Sequence, residues 1–60
     1  MRTADDFAKA ATHTAQLAEQ VKAQHGTKYA DLRNEAAVYL RLAAGKLRRI
    51  AEATAGDEAV

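Results

Sequence analysis

The chain has 60 residues, a formal net charge of +1, no cysteine and no proline. Sixty residues limit it to one domain, and the absence of cysteine excludes disulfides and thiolate metal sites. The nearly balanced charge gives no overall bias toward polyanions. Frequent alanine and the absence of proline favour an all-α chain.

The first half of the chain predicts one amphipathic helix over about residues 3–25. Thr3 and Asp6 have the spacing of a capping box, and Asp5 and Asp6 favour the positive end of the helix dipole. Apolar residues then recur at intervals of three and four, as expected for one face of a helix. The predicted inner stripe consists of Phe7, Ala10, Ala11, Thr14, Leu17, Ala18 and Val21.

Residues 25–27 predict a turn between this helix and a second one. Gly26 can adopt the left-handed C′ conformation at little cost, and Thr27 is placed to cap the second helix. So short a connection makes the two helices antiparallel neighbours, which is a helical hairpin. One continuous helix through Gly26 remains an alternative, because glycine costs only about 1 kcal/mol relative to alanine within a helix.

The second helix is predicted over about residues 28–55, with Gly56 as its stop signal and residues 56–60 as a frayed acidic tail. Residues 1–60 then form a single hairpin domain. The side of helix 2 expected to pack on helix 1 is a broad apolar arc. It comprises Tyr29, Leu32, Ala36, Tyr39, Leu40, Ala43, Leu47, Ile50 and Ala51.

A second apolar ridge lies on roughly the opposite side of helix 2, where Val38 and Leu42 are four residues apart. Two helices cover only one side of each other, so the sequence predicts that a second copy or another protein covers the remainder. Dimerisation of the hairpin into a four-helix bundle satisfies this requirement. The simpler interpretation is that two isolated apolar residues are normal on a protein surface. The predicted partner-binding residues are Val38, Arg41, Leu42, Gly45 and Arg49.

The alternative function is nucleic-acid binding by an arginine-rich face of helix 2. Residues 28–55 contain six basic and three acidic side chains, and Arg41 and Arg48 share a face because they are seven apart. The guanidinium group suits phosphate or carboxylate, although a solvated helix face explains the same pattern. An amphipathic helix lying on a membrane surface is disfavoured by the lack of Trp and the scarcity of Lys. The candidate nucleic-acid residues are Arg33, Arg41, Arg48 and Arg49.

The pattern of potentially reactive residues predicts neither an enzyme nor a metal or cofactor site. His13 and His25 lack acidic or histidine neighbours at helical spacing, and a lone hairpin offers almost no pocket for a small-molecule substrate. The polar, acidic start is unlike a signal or transit peptide, and the longest apolar stretch, interrupted by Arg41, is too short to span a membrane. We therefore expect a cytoplasmic, non-enzymatic interaction or regulatory protein.

Overall fold

A computed structural model describes residues 3–26 and 28–59, which form two helices and contain no strand. Helix α1 spans Thr3–Lys22 and helix α2 spans Ala30–Glu58. The helices pack against each other as an antiparallel hairpin. The backbone N–H of Ala4 donates to the carboxylate of Glu58, and Arg41 forms an ion pair with Glu19. The predicted all-α hairpin is thus confirmed, and the alternative of one continuous helix is wrong.

The two helices touch through alanines, which recur every seven residues on α1 and on α2. Within the described residues only alanines are buried: Ala4, Ala11, Ala18, Ala37, Ala44 and Ala51. Small side chains allow two helix backbones to approach closely, and a seven-residue repeat keeps them on the seam between the helices. The seam is therefore tight but contains little apolar volume.

The inner stripe predicted for helix 1 is confirmed. Its members are either buried or half-buried, with Ala11 and Ala18 on the seam and Phe7 beside them. The arc predicted for helix 2 is largely wrong, because the helix is rotated so that Ala37 and Ala44 face α1. Ala51 is the one predicted member that is buried, Leu40 and Leu47 are half-buried, and the remainder are exposed or outside the seam: Tyr29, Leu32, Ala36, Tyr39, Ala43 and Ile50.

The turn begins earlier than predicted, since α1 ends at Lys22 rather than near His25. The guanidinium of Arg33 accounts for this difference. Its Nη1 donates to the carbonyl oxygen of His25 at 3.3 Å, and its Nη2 donates to that of Gly26 at 2.5 Å. The loop therefore runs alongside the first turns of α2 instead of continuing the helix. Gly26 adopts φ 106°, the positive φ for which glycine was predicted there.

Helix α2 begins at Ala30, two residues later than predicted, and Tyr29 precedes it with a left-handed φ of 60°. The cap predicted at Thr27 lies outside the described residues. Gly56 does not stop the helix, which continues to Glu58, so the described part of the predicted frayed tail is mostly helical. The N–H of Ala59 still bonds to the carbonyl of Ala55 at 3.0 Å, and Glu58 anchors the last turn to α1.

Candidate interaction site

The large apolar side chains of the hairpin lie outside the buried seam. On α2, Leu32 is 62% exposed, Tyr39 is 69% exposed and Ile50 is 42% exposed. Further large apolar side chains on both helices are half-buried at the edge of the seam. We call the whole set the apolar face: Phe7, Leu17, Val21, Leu32, Tyr39, Leu40, Leu47 and Ile50.

The helical spacing shows that both helices contribute to the same side of the hairpin. At 100° per residue, Leu17 lies on the other side of the α1 alanine row from Glu19, and Leu47 lies on the other side of the α2 row from Arg48. Glu19 and Arg48 both line a shallow groove on the opposite side. The apolar face therefore extends over α1 and α2 together, and it occupies the side of the hairpin away from this groove.

A second exposed apolar surface follows the outer side of α2, away from α1. Val38, Leu42, Gly45 and Arg49 succeed one another at intervals of four, three and four, and we call them the outer ridge. Val38 is 55% exposed and Leu42 is 59% exposed. A Cβ added at Gly45 would meet no atom within 4 Å, so the centre of the ridge is open. Four of the five predicted partner-binding residues thus share one surface.

Arg41, the fifth of these residues, points to the groove rather than to the outer ridge. The groove has a volume of about 440 Å³ and is lined by Thr12, Ala15, Gln16, Glu19, Arg41, Ala44 and Arg48. Arg41 forms its ion pair with Glu19 there, and both side chains are more than half exposed. Such an exposed pair contributes little to stability, and an anion entering the groove would compete with Glu19 for Arg41.

The four arginines predicted for nucleic-acid binding do not form one continuous patch. Arg33 holds the loop carbonyls, Arg41 and Arg48 line the groove, and Arg49 belongs to the outer ridge. Arg33 and Arg41 also already have partners within the chain. A phosphate backbone would therefore meet arginines on two neighbouring faces of α2, with Arg48 in the groove and Arg49 on the outer ridge, rather than a single row.

Among the described residues no polar or charged side chain is buried, and no three metal-ligating side chains lie close enough together to hold an ion. His13 and His25 are exposed. Neither α1 nor α2, as described, has the apolar length required to cross a lipid bilayer.

The apolar face is the surface that sequence reasoning placed incorrectly. The residues were recognised as apolar, but those of α2 were expected to pack on α1 rather than to lie beside the contact. The signal for the actual arrangement is the repeated alanine, Ala37, Ala44 and Ala51, which matches the spacing of Ala4, Ala11 and Ala18. The chain matches no protein-family model, no curated protein and no solved structure.

Proposed function

We propose that this chain is a small, non-enzymatic module that acts by protein–protein association. It buries exposed apolar surface of α2, together with its neighbours on α1, against a second copy of itself. The assembly is a homodimer in which two hairpins stack as layers of a four-helix bundle, with helices crossing at about 20°. The outer ridge, with Val38 and Leu42, is the surface proposed for contact with a different protein.

The observation that carries this proposal is the contrast between the buried and the exposed apolar groups. Burial of one methylene-sized group contributes about 0.8 kcal/mol, whereas full burial of a Leu, Ile or Phe side chain contributes about 1.5–3 kcal/mol. In the hairpin the fully buried groups are alanine methyls, while Leu32, Tyr39 and Ile50 face solvent. Association is the step that places the large side chains in a core.

The architecture of the hairpin supports the same proposal. At the level of its Cα atoms the molecule measures 50 × 15 × 10 Å, which corresponds to a single layer of two helices. Stable domains consist of at least two packed layers around a hydrophobic core. A second hairpin supplies the missing layer. No cysteine is present to stabilise a single layer through a disulfide.

Sedimentation equilibrium of the intact chain tests the proposed association. The expected result is a species of about 13 kDa, twice the 6.5 kDa of one chain, that dissociates on dilution. A species of single-chain mass that keeps full helical content at micromolar and higher concentrations would contradict the proposal. Circular dichroism on the same samples reports the helical content.

Nucleic-acid binding is the second candidate function, and one feature of α2 favours it. Residues 41–49 contain four basic side chains, Arg41, Lys46, Arg48 and Arg49, and no carboxylate. Binding through these groups would weaken steeply as salt rises, because each phosphate contact releases counterions. Retention of duplex DNA or structured RNA in a low-salt gel-shift assay, lost in an Arg48→Glu/Arg49→Glu variant, would support this function. Absence of retention would remove it.

A further inference from the structure

We infer that the partner on the apolar face is a second copy of the chain running in the opposite direction, so that the loop end of each hairpin lies against the open end of the other. This inference rests on the proposed function and specifies its surface and orientation. The open end is the end at which α1 begins and α2 finishes. The loop end is the end at which α1 finishes and α2 begins, and it comprises residues 22–26 and 28–35.

The area that the hairpin leaves exposed matches the area that a dimer requires. Its accessible surface is 4787 Å². A compact folded protein of 6.5 kDa exposes only about 3,800 Å². The excess of about 1,000 Å² slightly exceeds the roughly 800 Å² that each partner buries in an interface of standard size. One additional layer on one side of the hairpin therefore suffices.

The apolar face is the side of the hairpin on which this area can be buried without removing a charged side chain from water. All its members are apolar, apart from the Tyr39 hydroxyl, and they come from both helices. The opposite side contains the Glu19–Arg41 ion pair and Arg48. Covering that groove would remove charged groups from water, which costs more than their pairing returns. A symmetric dimer uses the same patch on both copies, so the apolar face meets itself.

The distribution of charge along the hairpin determines the direction. Asp5 and Asp6 begin α1, Asp57 and Glu58 finish α2, and the hydrogen bond from Ala4 to Glu58 places both pairs at the open end. If two copies ran in the same direction, eight carboxylates would meet at one end of the bundle. Like charges brought together at an interface are unfavourable, so this arrangement is disfavoured.

The opposite direction separates the two acidic ends by the length of the bundle. Each open end then lies near the partner's loop end, which has a small excess of positive charge. The charged residues of that end are Lys22, Lys28 and Arg33 against Asp31 and Glu35. The groove and most of the outer ridge remain on the outside of the dimer, while Val38, which lines a shallow hollow together with Tyr39, lies at the edge of the interface.

Distances between spin labels on the two copies test this orientation. Because the chain has no cysteine, single substitutions provide unique attachment sites. Asn34→Cys and Ala53→Cys are exposed positions toward opposite ends of α2. Gln20→Cys is exposed in the last turn of α1, next to the Glu19–Arg41 pair and therefore nearer the level of the middle of α2 than the other two. None of the three belongs to the apolar face. Sedimentation of each labelled variant checks that its mass is unchanged.

In the opposite-direction dimer, the two labels at residue 34 lie about 30 Å apart along the bundle axis, and the two labels at residue 53 lie nearly as far apart. These separations follow from the distance of each residue from the middle of α2, at a rise of about 1.5 Å per residue. The labels at residue 20 lie closer together than those at residues 34 and 53. Equal short distances at all three positions would overturn the inferred orientation while leaving the proposed dimer intact. A single-chain mass without dipolar coupling would overturn the proposed function as well.

Discussion

The backbone N–H of Ala4 donates a hydrogen bond to Oε1 of Glu58 over 3.2 Å, joining the first turn of α1 to the last turn of α2. The first N–H groups of a helix have no partner within the helix, and the dipole makes this end partly positive. The Glu58 carboxylate therefore satisfies a free donor and supplies a favourable charge. This contact joins the part of α2 beyond Gly56 to the start of α1.

Replacing Glu58 by Gln should lower the free energy of unfolding by about 0.5–1 kcal/mol, because the amide lacks the charge that favours the start of α1. Asp57→Asn is the matched control, since it makes the same charge change on the adjacent residue. Urea denaturation followed by circular dichroism measures both. Equal effects of the two variants would show that the charge of Glu58 does not act through its contact with the N–H of Ala4.

Enlarging an alanine of the seam should force the helices apart. Ala18 is 0% exposed, and Leu in its place would overpack the contact at a cost of about 1–3 kcal/mol. Ala44→Leu should have a similar effect from the facing helix. Ala53→Leu is the control, because Ala53 is exposed and surface substitutions usually change stability by less than about 0.5 kcal/mol. Thermal unfolding curves that show no difference between Ala18→Leu and Ala53→Leu would exclude an alanine seam.

Two glycines should respond to alanine in opposite directions. Gly26 has a φ of 106°, which an L-residue with a Cβ rarely adopts, so Gly26→Ala should destabilise the hairpin by more than about 1 kcal/mol. Gly45 lies within α2 with open space around its Cα, so Gly45→Ala should stabilise the hairpin by about 0.5–1 kcal/mol. Denaturation midpoints of the two variants check this pair. A gain in stability from Gly26→Ala would contradict the described loop.

Charge placed on the apolar face should disrupt the dimer, whereas the same charge on the outer ridge should not. Leu32 and Leu42 suit this comparison because both lie on α2 and are 62% and 59% exposed. We expect Leu32→Glu to raise the dimer dissociation constant at least about tenfold, since each 1.4 kcal/mol corresponds to one order of magnitude. Leu42→Glu should leave it nearly unchanged. Sedimentation velocity over a dilution series measures both constants, and the reverse ranking would transfer the interface to the outer ridge.

The hairpin could be predicted from the sequence because its signals are local. Alanine content, the acidic first turn of α1 and Gly26 each act within a few residues, and together they indicate two helices and a turn. The ends of the helices were less accurate because distant partners determine them. Arg33 holds the loop that ends α1 early, and Glu58 holds the last turn of α2.

The rotation of α2 could not be predicted from apolar periodicity alone. Large side chains such as Tyr39 and Ile50 dominate that pattern, so they were expected against α1. In the hairpin the closest approach of the helices admits only alanine, and the large residues lie beside the contact. The periodicity therefore indicated a surface that requires a partner, but assigned α1 as that partner.

The concentration dependence of thermal unfolding tests most directly whether one copy of the chain can cover its own apolar surface. If folding and dimerisation are coupled, the melting temperature of the helical signal rises with protein concentration, because association stabilises only the folded chains. We expect a steady rise over several orders of magnitude in concentration. A cooperative transition at the same temperature throughout that range would contradict it.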